Sequence, residues 1–169
     1  KGLKRNYLAV SGAVILALVF FAGLLAPWLA PHDPNECVLQ NRAQGPSPGY
    51  PLGTDELGRC MLSRLLYGAR LSFLTGVGTV LMAAAVGIPL GLLAGYFGGW
   101  FETVLMRIMD VLLSIPYFLL ALAIVTVLGP GLLNTMIAIA VWSLPGYARI
   151  TRARALEIRE KEDIESARA

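Results

Sequence analysis

Three long stretches of this chain carry no charged side chain, and they limit the folds that it can adopt. They cover residues 7–30, 71–101 and 111–148. About 20 consecutive apolar residues are enough for a helix to cross the hydrocarbon of a bilayer. Because 56% of the 169 residues are hydrophobic and only 15% are charged, the chain has too little charge to cover the surface of a soluble domain. The sequence therefore predicts an integral membrane protein, with a buried helix of a soluble core as the alternative for the first stretch.

The first two stretches predict one transmembrane helix each. The second is rich in small residues, which would let neighbouring helices approach closely. These residues are Gly76, Gly78, Ala83, Ala84, Ala85, Gly87 and Gly91. Three more glycines, Gly95, Gly98 and Gly99, are expected to end this helix in a short turn.

The third stretch is too long for one span. As a single helix its 38 residues would extend about 57 Å, nearly twice the hydrocarbon thickness. The sequence Gly129-Pro130-Gly131 favours a turn. A third span is therefore expected at about residues 101–128 and a fourth at about 132–149. The prediction is an all-α, polytopic membrane protein with four transmembrane helices.

The basic residues predict the orientation of the chain in the membrane. An even number of spans places both ends on one side, and cytoplasmic segments carry an excess of Lys and Arg. The basic residues near the ends are Lys1, Lys4, Arg5, Arg149, Arg152, Arg154, Arg159, Lys161 and Arg168. Both ends are therefore expected in the cytoplasm. The predicted divisions are residues 1–30 (N-terminus and first span), 31–70 (extracytoplasmic loop) and 71–169 (the remaining spans and the closing segment).

The outer loop is expected to end in a short amphipathic helix. Thr54 or Asp55 can cap a helix, and the carboxylates of Asp55 and Glu56 suit the positive end of its dipole. Apolar residues then recur at helical spacing at Leu57, Met61, Leu62, Leu65, Leu66 and Ala69. Arg59, Ser63 and Arg70 lie largely off this stripe. The pattern predicts a helix on the outer membrane surface. The alternative is that the second span continues through these residues.

The two cysteines of the chain, Cys37 and Cys60, both fall in the outer loop. An even pair of cysteines in an oxidising compartment suggests a disulfide. Two alternatives stay open at this point. The cysteines could be independent thiols, or they could form a metal site together with His32, the only histidine of the chain.

Two charged residues, Arg107 and Asp110, lie early in the expected third span. Residues three apart share a helix face, so these two can form an ion pair. An ionisable residue inside a membrane is a candidate functional residue. Since Arg107 is close to the cytoplasmic end of the span, we interpret the two as a structural intramembrane pair. Pro116 and Pro145 are expected to kink the third and fourth helices.

The sequence shows no catalytic pattern. It has one histidine, no cysteine–histidine cluster in a span and no G-x-x-x-x-G-K-[ST] phosphate loop. We therefore expect no enzyme activity, no resident metal and no cofactor bound by this chain.

The chain closes on a charged segment, "ARITRARALEIREKEDIESARA". It lacks Gly and Pro and is rich in residues that favour a helix. It is too polar to cross a bilayer, so it is expected to be a cytoplasmic helix, either a solvated extension or a docking surface.

Four segments together resemble a known family. They are "YPLGTDELGRCMLSRLLYGARLS", "GYFGGWFETVLMRIMDVLLSIP", "LGPGLLNTMIAIAVWSLPGYARITRARAL" and "REKEDIESARA". In this order they resemble the inner-membrane permease subunit of the dipeptide, oligopeptide and nickel class of ABC importers. Such permeases have six spans, so the resemblance implies that residues 71–169 are part of a permease core and that two further spans follow.

The resemblance also implies a role for the closing segment. In this family, a cytoplasmic E-A-A-x-x-x-G helix inserts into a groove on the ATPase subunit. Glu165-Ser166-Ala167 resemble its start, with Ser in place of the usual Ala, and its Gly would fall beyond Ala169. The chain is therefore expected to end inside the coupling helix. The residues implied in coupling are Arg159, Glu160, Glu162, Asp163, Glu165, Ser166, Ala167 and Arg168.

The expected partners follow from the same resemblance. They are a second homologous permease subunit, two ABC ATPase subunits that use ATP and magnesium, an extracytoplasmic solute-binding protein and membrane lipid, but no nucleic acid. The expected location is the bacterial inner membrane. Peptides are the expected substrates, and nickel or a nickel chelate is the alternative. The alternatives from other classes are a self-contained channel or secondary transporter, which would show inverted repeats and broken helices, and a membrane-embedded enzyme.

Overall fold

Helices account for most of the chain that the structure describes. The computed structural model describes residues 7–159. The helices are α1 (Tyr7–Leu24), α2 (Ala26–Leu29), α3 (Met61–Phe97), α4 (Gly99–Ser114), α5 (Tyr117–Leu128) and α6 (Leu132–Arg159), with a 3-10 turn at Leu39–Asn41. Within these residues the β structure is limited to an isolated bridge between Thr54 and Cys60. The predicted all-α class is confirmed.

The chain divides into two compact units, one ending at Leu74 and the other beginning at Thr75. In the first unit, the 18 residues of α1 carry no charge, and their side chains are mostly exposed in the isolated chain. A helix that is apolar on every side is typical of a membrane span. α1 meets the start of α3 at Gly23, where an added Cβ would lie only 2.7 Å from the backbone nitrogen of Arg70. Phe20 and Phe73 reinforce this contact edge to face, with ring centroids 5.2 Å apart.

Asp55 organises the turn that precedes α3. One carboxylate oxygen accepts the backbone N–H groups of Leu57 and Arg59, each at 2.9 Å. The other accepts from the side chains of Arg59 and Arg64. Burial opposes ionisation, but the hydrogen bonds from Arg59 and Leu57 and the charge of Arg59 prevail and hold the pKa of Asp55 well below its ordinary value.

The separate amphipathic helix predicted for the outer loop is wrong. Residues 54–60 are not helical, and α3 begins at Met61 and continues without interruption to Phe97. Gly58 explains part of this difference. Its φ of +75° is left-handed, and an added Cβ would lie 1.9 Å from the carbonyl oxygen of Val38. The alternative, in which the second span extends through the remaining residues, is the one that the structure shows.

In the second unit, α3 packs closely against α6 through three glycines spaced one turn apart. An added Cβ would lie 2.8 Å from the Cβ of Tyr147 at Gly87, 2.3 Å from the carbonyl oxygen of Ala148 at Gly91, and 2.5 Å from the Cβ of Ala155 at Gly95. The close approach expected from the small residues is therefore present at Gly87 and Gly91. We call Gly87, Gly91 and Gly95 the glycine stripe. The expectation that Gly95 helps to end α3 is therefore wrong, because it lies inside the helix, in contact with Ala155.

The polypeptide turns sharply at the two ends of α4. Gly98 and Gly99, with φ of +65° and +58°, adopt the left-handed conformation that glycine tolerates best, and they separate α3 from α4. At the other end, Pro116 restricts Ile115 to an extended conformation, with φ −87° and ψ 125°. α4 and α5 consequently meet at 94°. The kink expected at Pro116 is therefore a complete break, whereas Pro145 lies inside α6 without ending it.

α5 and α6 form a helical hairpin closed by the turn at residues 129–131. The side-chain amide of Asn134 donates to the carbonyl oxygens of Leu128 and Gly129, at 2.9 and 3.0 Å, and so holds the turn. Tyr117 and Trp142 pack edge to face across the hairpin, with ring centroids 5.6 Å apart.

Length and composition support fewer spans than the sequence predicts. Among the described residues, α1 and α3 are each long and apolar enough to cross a membrane. α4 and α5 would make a third span only if the bent pair is counted as one. α6 carries four arginines in its last eleven residues, at positions 149, 152, 154 and 159, which lowers its average hydropathy. The count of four spans is therefore not confirmed.

Candidate functional site

Five charged side chains gather where α4 meets the C-terminal half of α6. Glu102, Arg107 and Asp110 project from α4, and Arg149 and Arg152 project from α6. We call these five residues the charge cluster. Between them lies a small apolar core in which Ala148 of α6 contacts Leu105 and Met109 of α4 and Ala94 of α3. The cluster thus closes a packed three-helix junction.

Asp110 is shared between two arginines. Its Oδ1 accepts from Nη2 of Arg149 at 2.6 Å, and its Oδ2 lies 3.8 Å from Nη1 of Arg107. The predicted pairing of Arg107 with Asp110 is therefore present but long, and Arg107 is 79% exposed. The shorter contact joins two different helices, so it is the one that can fix α6 against α4.

Glu102 and Arg152 form the more protected pair of the cluster. The guanidinium of Arg152 donates to Oε1 of Glu102 through both Nε and Nη2. Their side chains are only 18% and 34% exposed, respectively. Charge-assisted hydrogen bonds of this kind are stronger than those between neutral groups.

α6 connects this junction directly to the closing segment. It runs for 28 residues from Leu132 to Arg159, about 42 Å at 1.5 Å per residue. The helix continues past Arg149, where the last span was expected to end, because residues 150–159 contain neither Gly nor Pro. The apolar hairpin and the charged stretch are therefore parts of one helix.

α6 is also held from its other side. The glycine stripe of α3 faces Ala148, Thr151 and Ala155, and an added Cβ at Gly91 would lie 2.9 Å from the Cβ of Thr151. At the end of the helix, Nη1 of Arg159 would lie 2.9 Å from a Cβ added at Gly98. The last three turns of α6 are therefore packed against α3 on one side and paired with α4 on the other.

Only part of this cluster is evident from the sequence. Arg149 and Arg152 were counted as cytoplasmic charges, and no partner was assigned to them. Their partners Asp110 and Glu102 are 39 and 50 residues away in the chain. Only Arg107 and Asp110, which are three residues apart on one helix, can be recognised as a pair from the sequence.

Comparison with known proteins identifies the family. Residues 87–169 match the model of the binding-protein-dependent transport system inner membrane component. Residues 1–46 match the N-terminal transmembrane domain of oligopeptide transport permease C. The chain belongs to this permease family. The family and the apolar helices together indicate a multi-pass inner-membrane protein.

Three relatives illustrate what the permease is similar to. The di/tripeptide transport system permease protein DppC of Pseudomonas aeruginosa is 45% identical over 99% of this chain and 57% of its own length. The probable D,D-dipeptide transport system permease protein DdpC of Escherichia coli is 42% identical over 98% of this chain and 56% of its own length. The glutathione transport system permease protein GsiD of Escherichia coli is 42% identical over 98% and 55%. The chain thus spans a little over half the length of these relatives.

Most of the residues implied in coupling lie outside the described part of the permease. These are Glu160, Glu162, Asp163, Glu165, Ser166, Ala167 and Arg168. Arg159, the last described residue, is at the end of α6 beside Gly98. Their assignment stays a prediction.

The two cysteines of the permease are free thiols in the structure. Cys37 is exposed and its Sγ donates to the backbone oxygen of Asn35 at 3.5 Å, whereas Cys60 is buried. The disulfide suggested by the sequence is therefore not formed here, and the alternative of two separate thiols describes the structure.

The alternative metal site with His32 is not assembled either. In residues 7–159 no three His, Cys, Asp or Glu side chains come together in a way that could hold a metal ion. The ring of His32 stacks on Tyr50, with centroids 4.6 Å apart, and its backbone N–H donates to Oγ of Ser63 at 3.2 Å. His32 thus helps to join the outer loop to α3.

Proposed function

We propose that the whole protein is a permease subunit of an ATP-driven importer and that it forms part of the path for small peptides across the inner membrane. The observation that carries this proposal is the similarity of 98–99% of the chain to permeases of di/tripeptide, D,D-dipeptide and glutathione transport systems. Glutathione is itself a tripeptide, so the three names share one substrate class. Nickel or a nickel chelate stays the alternative substrate, with no support from these three relatives.

We propose that the energy for transport comes from separate subunits. The chain has no G-x-x-x-x-G-K-[ST] phosphate loop, so ATP and magnesium would be used by two partner ATPases. A second permease subunit would complete the path, and a binding protein outside the membrane would deliver the peptide. The basic residues of both ends favour a cytoplasmic location for them, which places residues 31–70 on the side of the binding protein.

The proposed contact with the ATPase is the closing segment. It begins within α6 and continues to Glu165-Ser166-Ala167, which resemble the start of the coupling motif. Support comes from α6 itself, because a charged extension that is packed on α3 and paired with α4 has a defined direction. Closure of the ATPases on ATP would then push the segment and shift the bundle between inward-open and outward-open states.

Replacement of residues in the coupling motif tests this proposal. Ala167→Trp adds bulk to a close-packed contact, and overpacking costs about 1–3 kcal/mol, which would weaken binding about 5-fold to more than 100-fold. Glu165→Lys reverses a charge. Both variants of the complete permease are expected to reduce co-purification of the ATPase and uptake of labelled dipeptide, while insertion into the membrane is unchanged.

Arg154→Gln is a suitable control because Arg154 is 74% exposed and pairs along its own helix with Glu157. Normal ATPase binding and normal uptake in both motif variants would contradict the coupling assignment. Uptake of nickel with no uptake of dipeptide by the wild type would contradict the substrate.

A further inference from the structure

We propose that Glu102 and Asp110 are positioning residues that make the end of α6 move together with α4, so that movement of the closing segment reaches the membrane helices. This inference rests on the proposed function, since it assigns a role in coupling to residues outside the coupling motif. It concerns the ion pairs Glu102–Arg152 and Asp110–Arg149, which we call the α4–α6 clamp.

The location of the clamp is the first argument. Arg149 and Arg152 lie within the last eleven residues of α6, at the start of the closing segment and before the coupling motif at Glu165-Ser166-Ala167. Any force applied to the coupling motif must pass through this part of the chain to reach the apolar half of α6. Both carboxylates that pair with these arginines belong to α4.

The geometry is the second argument. Glu102 and Asp110 are eight residues apart on α4, about 12 Å along its axis. The partners on α6, Arg149 and Arg152, are three residues apart, so the two ion pairs hold one turn of α6 to two turns of α4 and constrain rotation between the helices more than a single ion pair would. The apolar contacts of Ala148 with Leu105 and Met109 lie between the two ion pairs.

The packing on α3 is the third argument. The glycine stripe allows the backbones of α3 and α6 to approach closely, and the side chains of Tyr147, Thr151 and Ala155 lie against it. This contact includes no charged side chain, so the ion pairs that fix the orientation of α6 come from α4. The clamp supplies them.

The expected consequence is a loss of coupling rather than a loss of assembly. Without the clamp, the closing segment should still bind the ATPase, but its movement should no longer be passed fully to α4, because α6 is no longer paired with it. Glu102→Gln and Asp110→Asn are isosteric changes that remove one charge of each pair. The expected result is a fall of about fivefold or more in peptide taken up per ATP hydrolysed, at the lower end of typical coupling factors.

The experiment uses the complete permease, assembled with its second permease and ATPases in proteoliposomes with binding protein outside. Uptake of labelled dipeptide and release of phosphate are measured together for the wild type, E102Q, D110N, E102R and the reversed pair E102R/R152E. Thr103→Ala is the matched control, because Thr103 neighbours Glu102 and its hydroxyl donates within α4, to the carbonyl oxygen of Gly99 at 2.9 Å. The reversed pair should recover most of the ratio that E102R alone loses.

A cross-link removes any ambiguity from altered folding. In a cysteine-free background, E102C/R152C should show a low uptake per ATP, and a short bifunctional thiol reagent that joins the two positions should restore it. If the cross-link instead blocks uptake while ATP hydrolysis continues, α4 and α6 move apart during transport and the proposal is overturned. An unchanged ratio in E102Q, D110N and the unlinked double cysteine variant would also overturn it. Failure of the wild type to show ATP-dependent uptake of dipeptide would instead refute the proposed function, and with it this inference.

Discussion

Gly91 offers the most direct test of how α3 and α6 fit together. Replacement with alanine would place a Cβ 2.3 Å from the carbonyl oxygen of Ala148, where ordinary contacts begin at 3.4 Å. The shortfall is about 1.1 Å. Because the obstructing atom belongs to a helix backbone, no side-chain rotation can relieve it, and the two helices must separate by roughly that distance.

The cost of this separation follows from the apolar core beside it. Ala94 and Ala148 pack with Leu105 and Met109, and a gap of 0.5–1 Å forfeits about a quarter to a half of the dispersion energy of each contact across it. Overpacking of this kind costs about 1–3 kcal/mol. Because alanine has a greater helix propensity than glycine, the substitution also stabilises α3 by about 1 kcal/mol at most. We therefore expect Gly91→Ala to destabilise the protein by about 1–2 kcal/mol.

Two neighbouring glycines give matched controls. Gly76 is on the same helix, and an added Cβ there meets no atom within 4 Å, so Gly76→Ala should be neutral or slightly stabilising. At Gly87 the nearest atom would be 2.8 Å away, so Gly87→Ala should have an intermediate effect. Unfolding of the purified protein by SDS in mixed micelles, followed by tryptophan fluorescence, measures the order. If Gly91→Ala proves as stable as Gly76→Ala, the α3–α6 contact described here is incorrect.

Three further predictions concern the outer loop and the orientation. Without reduction, mass spectrometry should find two alkylatable thiols, with Cys37 reacting before the buried Cys60; a bridged peptide would contradict this. Since the pKa of Asp55 is lower in the folded protein than in the unfolded chain, its contribution to stability is complete above about pH 4 and is lost as the pH falls below that value. The protection factors of the backbone amides of residues 54–60, which are exchange rates corrected for the intrinsic effect of pH, should therefore fall on acidification in the wild type, with a smaller change in Asp55→Asn, and equal changes would refute the role of this carboxylate. In cysteine-free protein in intact cells, an impermeant maleimide should label Gly49→Cys, which has open space around it, but not Lys161→Cys; the reverse pattern would invert the proposed orientation.

The sequence was sufficient for features that depend on local pattern. Charge-free length predicted the apolar helices α1 and α3, and two of the three glycines expected to end α3, Gly98 and Gly99, do so in a left-handed conformation, whereas Gly95 lies inside the helix. The turn between α5 and α6 followed from Gly129-Pro130-Gly131 in the same way.

Local sequence pattern does not predict the features that depend on distant parts of the chain. The apolar spacing from Leu57 onward suggested a surface helix, but the carboxylate of Asp55 and the contact of Gly58 with Val38 hold residues 54–60 in a turn. The partners of Arg149 and Arg152 depend on how α4 lies against α6, which no local pattern records. Pro116 was expected to bend a helix, and the size of the bend depends on the packing around it.

The side of the membrane on which the hairpin of α5 and α6 ends does not depend on how deeply the hairpin enters the bilayer. The 12 residues of α5 extend about 18 Å, which is less than the roughly 30 Å thickness of the hydrocarbon. The hairpin therefore either enters the membrane without crossing it or crosses it with α4 as part of the span. In both cases α6 returns to where α4 began, because Arg152 contacts Glu102 in the first turn of α4 and Arg159 lies beside Gly98. Gly98 and Arg159 therefore lie on the same side of the membrane, although the polypeptide between them enters the bilayer. This conclusion does not depend on how many hydrophobic segments are counted as spans. A single label at either end would show on which side of the membrane both ends lie.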